Sequence, residues 1–148
     1  MAQNVNPLAD TPFLTAVLDT LIPPSEDGKL PGAGSLGLAS EVGSAIERDE
    51  DRSALVDAGL GAIRDATGSA GEFVTLDFPS RVAAIEAQLE AHPQLIPSII
   101  TPLYFAYYQD PTVLVGLGLP ARPPFPGGYE VTPTDPDLLE LLRSKAAN

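Results

Sequence analysis

The chain is predicted to be all-α, an irregular bundle of six or seven helices that carries an extended, proline-rich strap near its C-terminus. Three observations lead there. Apolar residues recur at spacings of three and four, and no stretch shows the apolar–polar alternation of a half-buried strand. Proline follows a hydroxyl or carboxylate residue at Thr11-Pro12, Asp110-Pro111 and Asp135-Pro136, a sequence signature of a helix start. Hydrophobic content of 44% with 19% charged residues in 148 residues suits one globular domain rather than a disordered chain. Residues 1–10 are expected to be a flexible N-terminus and 11–148 a single domain, with the strap at 119–134.

The first helix starts at Thr11-Pro12, carries Phe13, Val17, Leu18 and Leu21 at helical spacing, and stops before Pro23-Pro24. A turn-rich loop, PSEDGKLPGAG, follows over 24–34. Its glycines lack the spacing and the Lys-Ser/Thr ending of a phosphate loop. Ser35 is expected to cap a second helix with Leu38, Val42 and Ile46 on one face. The mixed-sign run ERDEDR at 47–52 then leads into a third helix over 51–66, with Leu55, Ala58, Ala62 and Ile63 as its buried stripe. TGSAG at 67–71 reads as the close of that helix. Asp77 caps a fourth helix over 78–91, where Val82, Ile85 and Leu89 share a face before His92-Pro93 ends it.

Over 93–109 the apolar content rises until no polar face remains, which marks a helix buried on most sides, with Pro102 expected to kink or split it. Asp110-Pro111 opens a short helix through Val115, stopped by Gly116 or Gly118, and Asp135-Pro136 opens a final amphipathic one. Residues 104–131 stand apart in composition. They hold six of the nine aromatic residues and five of the sixteen prolines, but only three charged side chains, Asp110, Arg122 and Glu130. Tyrosine and phenylalanine with a single arginine and few other charges make the composition of an interface core. Four prolines at Pro120, Pro123, Pro124 and Pro126 lower the entropy that docking of such a strap would cost. The expected partner interface is therefore Tyr104, Tyr107, Tyr108, Arg122, Pro123, Phe125, Pro126 and Tyr129.

Charge and composition exclude several functions. A formal net charge of −12 cannot neutralise a run of phosphates, and it disfavours an anionic membrane surface. With no cysteine there is no disulfide, thiol nucleophile, iron–sulfur cluster or cysteine-ligated zinc. The longest apolar window, 95–108, is too short to span a bilayer and contains two prolines, so no membrane insertion is expected. The N-terminus shows neither a secretory nor a twin-arginine leader, which points to the cytoplasm, or to the periplasm if such a leader was removed.

No catalytic constellation is visible, and no catalytic, cofactor-binding or metal-ligating residue is expected in this chain. Gly116-Leu117-Gly118 is followed by Leu119-Pro120, which rules out a dinucleotide fingerprint. The one enzyme reading would use Glu86, Glu90 and the single histidine, His92, with a metal; Glu86 and Glu90 are an i, i+4 pair of a kind common on exposed helix faces. A self-associating helical structural domain is a further alternative.

The order and spacing of Ile22-Pro23-Pro24, Pro31-Gly32-Ala33-Gly34, Tyr107-Tyr108 with Asp110-Pro111, and Pro126-Gly127-Gly128-Tyr129 resemble gluconate 2-dehydrogenase subunit 3 across roughly residues 8–145. The resemblance implies a non-catalytic small subunit of a large FAD-dependent oxidoreductase of the glucose–methanol–choline type. That partner would hold the FAD, oxidise a sugar, polyol or glycoside hydroxyl, and pass electrons to a cytochrome or another acceptor. The small subunit would help the large one to fold. In that family a twin-arginine leader on the small subunit carries the complex across the membrane; the sequence here lacks one.

Overall fold

The structure is a computed structural model and describes residues 6–122 and 135–146. It is all-α: the described residues form eight α-helices and one 3-10 turn, and no strand. The helices are α1 (Thr11–Leu21), α2 (Ala39–Glu47), α3 (Glu50–Ala66), α4 (Ala70–Thr75), α5 (Phe78–Glu86), α6 (Leu95–Tyr107), α7 (Pro111–Gly116) and α8 (Pro136–Ala146), with the 3-10 turn at Ala33–Leu36. Of the expected strap, 119–134, residues 123–134 lie outside the described residues.

α1 is the hub. It packs against α2, α4, α5 and the 3-10 turn, while α6 packs against α2 and α3. Phe13, Leu14, Val17 and Leu18 of α1 are buried together with Val42, Ile46, Leu60, Ile63, Ile99 and Leu103. The cap of α1 falls one residue earlier than expected. The Asp10 carboxylate accepts from the Phe13 amide at 3.1 Å, because a carboxylate reaches the third amide of the first turn from that position.

Other elements depart from expectation for identifiable reasons. Ser35 does not cap α2: its hydroxyl turns back to donate to the Gly32 carbonyl at 2.8 Å within the 3-10 turn. Gly37 then takes a left-handed conformation before α2 starts. In α3 the acidic run supplies the cap, Asp49, which accepts from the Arg52 amide. The buried stripe of α3 is Val56, Gly59, Leu60 and Ile63, so Leu55 lies 49% exposed and Ala58 also faces out. Packing decides that register. A Cβ on Gly59 would sit 2.7 Å from Leu95 Cδ1, so α6 seats a leucine where α3 has no side chain.

TGSAG does close α3, but it also opens α4, a helix the sequence reading missed. Ser69 accepts from the Glu72 amide at 3.1 Å and its hydroxyl meets the Glu72 carboxylate, a serine–glutamate pairing at the spacing of a capping box. This short helix delivers Phe73 to the core, edge-to-face with Phe13 at 5.2 Å between ring centroids. α5 starts at its expected cap, Asp77, and ends at Glu86, after which turns replace helix. α6 runs unbroken through Pro102, which is itself buried. α7 begins at the Asp110 cap, and Gly118 in the left-handed region lets the Leu119 amide reach the Leu114 carbonyl at 2.8 Å, a Schellman close.

Candidate functional site

The spacing of α6 divides its aromatic residues between two surroundings. Leu95, Ile99, Leu103, Ala106 and Tyr107 recur at three and four and face the core. Tyr104, Phe105 and Tyr108 fall on the remaining arc and stand 48%, 66% and 48% exposed. The apolar helix at 93–109 was expected either to be wrapped by its own domain or to be left partly bare for a partner to cover. The described residues cover one side and leave an aromatic surface on the other.

This surface has shape. Tyr104 and Tyr108 meet edge-to-face with ring centroids 5.7 Å apart, and Tyr108 meets Tyr107 in the same way at 5.2 Å. Such pairs hold aromatic rings in defined orientations. With Phe105 and Gln109, Tyr104 and Tyr108 line a notch of about 290 Å³. Val115, Leu117 and Leu119, in and just after α7, are exposed as well.

Tyr107 is a correction. Expected at the partner interface, it lies in the core at 2% exposure, four residues on from Leu103 and eight from Ile99. Its hydroxyl donates to the Pro31 carbonyl at 2.8 Å, so a core tyrosine is satisfied by the backbone of the loop at 24–34. Burial first, then the neighbouring Tyr108 and Asp110, push that hydroxyl above the usual tyrosine range. Of the other expected interface residues, Tyr104 and Tyr108 come together, and Arg122 is exposed at the edge of the described chain. Pro123, Phe125, Pro126 and Tyr129 lie outside the described residues. Phe105, the most exposed of the three outward aromatics, was missed. Its signal was its position: one after Tyr104 and three before Tyr108, off the 95–99–103–106 line.

The same loop has a second anchor on α1. The Gly34 amide donates to Asp19 Oδ1 at 3.1 Å. A Cβ on Gly32 would fall 2.3 Å from Asp19 Oδ1, and one on Gly34 would fall 2.7 Å from Asp19 Cβ. Neither glycine has positive φ; they are small so that the loop can lie on Asp19. Gly116 plays the same part from α7, where a Cβ would meet the Lys29 carbonyl oxygen at 2.4 Å. Loop 24–34 is thus clamped between α1 on one side and α6–α7 on the other.

Glu86 and Glu90 are exposed and His92 is half-buried beyond the end of α5. Among the described residues no group of three or more His, Cys, Asp or Glu side chains is placed to hold a metal ion, and no helix is long and apolar enough to cross a membrane. Asp57 on α3 is a half-buried carboxylate. Burial pushes its pKa up, the charge of Glu47 adds to that, and the Leu8 amide opposes it. Comparison with known proteins finds no matching family model, no matching curated protein and no matching solved structure.

Proposed function

We propose that this chain is a non-catalytic small subunit that binds a larger protein through the aromatic surface of α6. One observation carries the reading: Tyr104, Phe105 and Tyr108 form a shaped apolar notch on a helix whose other face is fully packed. Orienting three large aromatic side chains into water costs free energy that a partner's apolar surface would recover. Truncating aromatic anchors of this kind commonly weakens a complex by about 2 kcal/mol or more.

The resemblance to gluconate 2-dehydrogenase subunit 3 supplies the class of partner: a large FAD-dependent oxidoreductase acting on sugar, polyol or glycoside hydroxyls, with its own electron acceptor. On this reading the FAD and the chemistry belong to the partner, and this chain stabilises its fold. Co-expression with the candidate large subunit tests it. The expected result is a stoichiometric yellow complex, with the large subunit insoluble or depleted of FAD when made alone. A large subunit that is soluble and fully active without this chain contradicts the reading. So does a defined homo-oligomer of the isolated chain in which the α6 aromatics are covered by a second copy.

A further inference from the structure

Loop 24–34 contains Asp27-Gly28, the sole Asp-Gly pair in the sequence, and the sequence has no Asn-Gly pair. Glycine after aspartate is the pairing most open to isoaspartate formation, because no side chain shields the glycine amide. The structure puts this pair at an open turn. Gly28 has φ +71°, and a Cβ built on it would meet nothing within 4 Å. Asp27, Gly28 and Lys29 are all exposed.

The reaction consumes nothing but water. The Gly28 amide nitrogen bonds to Asp27 Cγ, the amide proton and the carboxyl hydroxyl leave as water, and a succinimide ring closes. Water then attacks the Asp27 main-chain carbonyl, the original Asp27–Gly28 peptide bond breaks, and the chain runs through Cβ and Cγ instead. Mass and formal charge end unchanged, and the main chain is one methylene longer.

Ring closure needs a protonated Asp27 carboxyl and a Gly28 nitrogen free to give up its proton. The fold opposes both. The Ser25 hydroxyl donates to Asp27 Oδ1 at 2.7 Å, the Lys29 amide donates to the same oxygen at 3.1 Å, and Lys29 Nζ lies 3.2 Å from Oδ2. The Ser25 hydroxyl first, then the Lys29 amide and side chain, hold the Asp27 carboxyl below its usual range and so keep it ionised. The Gly28 amide, which is the nucleophile, donates to the Ser25 carbonyl at 3.0 Å. Ser25 is itself pinned, since its amide donates to the Leu30 carbonyl and its hydroxyl accepts from the Leu30 amide, both at 2.9 Å. One serine therefore holds both reacting groups.

We propose that Asp27 is a site of isoaspartate formation that Ser25 keeps closed in the folded chain, and that its modification unfastens loop 24–34. An added methylene between residues 25 and 30 breaks the match of the Ser25–Leu30 pairing. The neighbouring residues carry the loop's contacts to the body: the Lys29 carbonyl lies against Gly116 of α7, and the Pro31 carbonyl accepts from Tyr107 of α6. The inference stands apart from the partner-binding reading, because it involves only groups within this chain.

The test follows isoaspartate in the full chain at neutral pH by labelling with an isoaspartate methyltransferase and peptide mapping. The label is expected at Asp27, appearing about tenfold or more slower in the folded chain than in concentrated guanidinium chloride, because hydrogen bonds must break before the ring can close. Ser25→Ala is expected to speed the folded-state reaction about threefold or more and leave the denatured rate unchanged, whereas Ser25→Thr keeps the hydroxyl and stays slow. The isomerised chain, separated by chromatography, is expected to melt about 2 °C or more below the parent. If Ser25→Ala does not fold, the folded and denatured rates of the unmodified chain still decide. Equal rates in those two states, a folded Ser25→Ala that reacts no faster, or an isomerised chain that melts with the parent overturns the proposal.

Discussion

The two faces of α6 set the same residue types in opposite roles. On the inner face, Tyr107 is packed among aliphatic side chains and spends its hydroxyl on the Pro31 carbonyl. On the outer face, Tyr104 and Tyr108 have similar rings at half exposure, joined to Tyr107 through edge-to-face contacts. The difference lies in which arc of a 3.6-residue turn each occupies, not in composition. The inner face contributes to folding. The outer face is proposed to bind a partner, and on that proposal stability and binding should respond separately to substitution on the two arcs.

The largest effect on stability is expected on the inner face. Leu103→Ala removes a fully buried side chain and should lower unfolding free energy by about 3 kcal/mol, read from the urea midpoint. A cost below about 1 kcal/mol would mean that the inner face is not the packed one.

Tyr107→Phe is the next test, since it keeps the ring and removes only the hydrogen bond. It should cost about 1–2 kcal/mol, because the Pro31 carbonyl loses its donor in a partly buried setting. The sign of the pH effect follows from the raised tyrosine pKa. The stabilising contribution of Tyr107 is complete below the unfolded value of about 10 and is lost as pH rises through its higher folded value. Tyr107→Phe should remove that alkaline loss from a thermal melt series.

The smallest change is expected away from α6. The Asp57 pKa is raised on folding, so its carboxyl favours the folded state most below the unfolded value of about 3.9, and this advantage disappears as pH rises through the folded value. Asp57→Asn should therefore raise the melting temperature modestly at pH 7 and leave it little changed near pH 3. A lower melting temperature at pH 7 would show that the ionised carboxylate is needed.

Much of this was legible from local signals. The caps at Asp77 and Asp110 and the start at Asp135-Pro136 follow from a carboxylate preceding the first turn, and the structure has helices at all three places. What escaped depended on contacts distant in sequence. The stripe of α3 is set by Leu95 seated over Gly59, so Leu55 faces out although its spacing to Ala58 and Ala62 suits a core. Loop 24–34 read as a series of turns, yet only Gly28 of its glycines has positive φ; Gly32 and Gly34 are there for Asp19, thirteen and fifteen residues back in the chain. The α4 helix escaped for a different reason. Its Ser69–Glu72 signal is local, but six residues give too few turns for apolar periodicity to show. For the aromatic surface, composition located the segment, and only the register of α6 against α2 and α3 separated Tyr107 from Tyr104, Phe105 and Tyr108.

The most direct test of the division between faces is the double substitution Phe105→Ala with Tyr108→Ala, measured for both folding and complex formation with the large subunit. The account predicts an unfolding free energy within about 0.5 kcal/mol of the parent, as for exposed positions, and a complex weakened by about 2 kcal/mol or more, roughly thirtyfold in Kd. A variant that unfolds, or one that binds the large subunit as tightly as the parent, would contradict it.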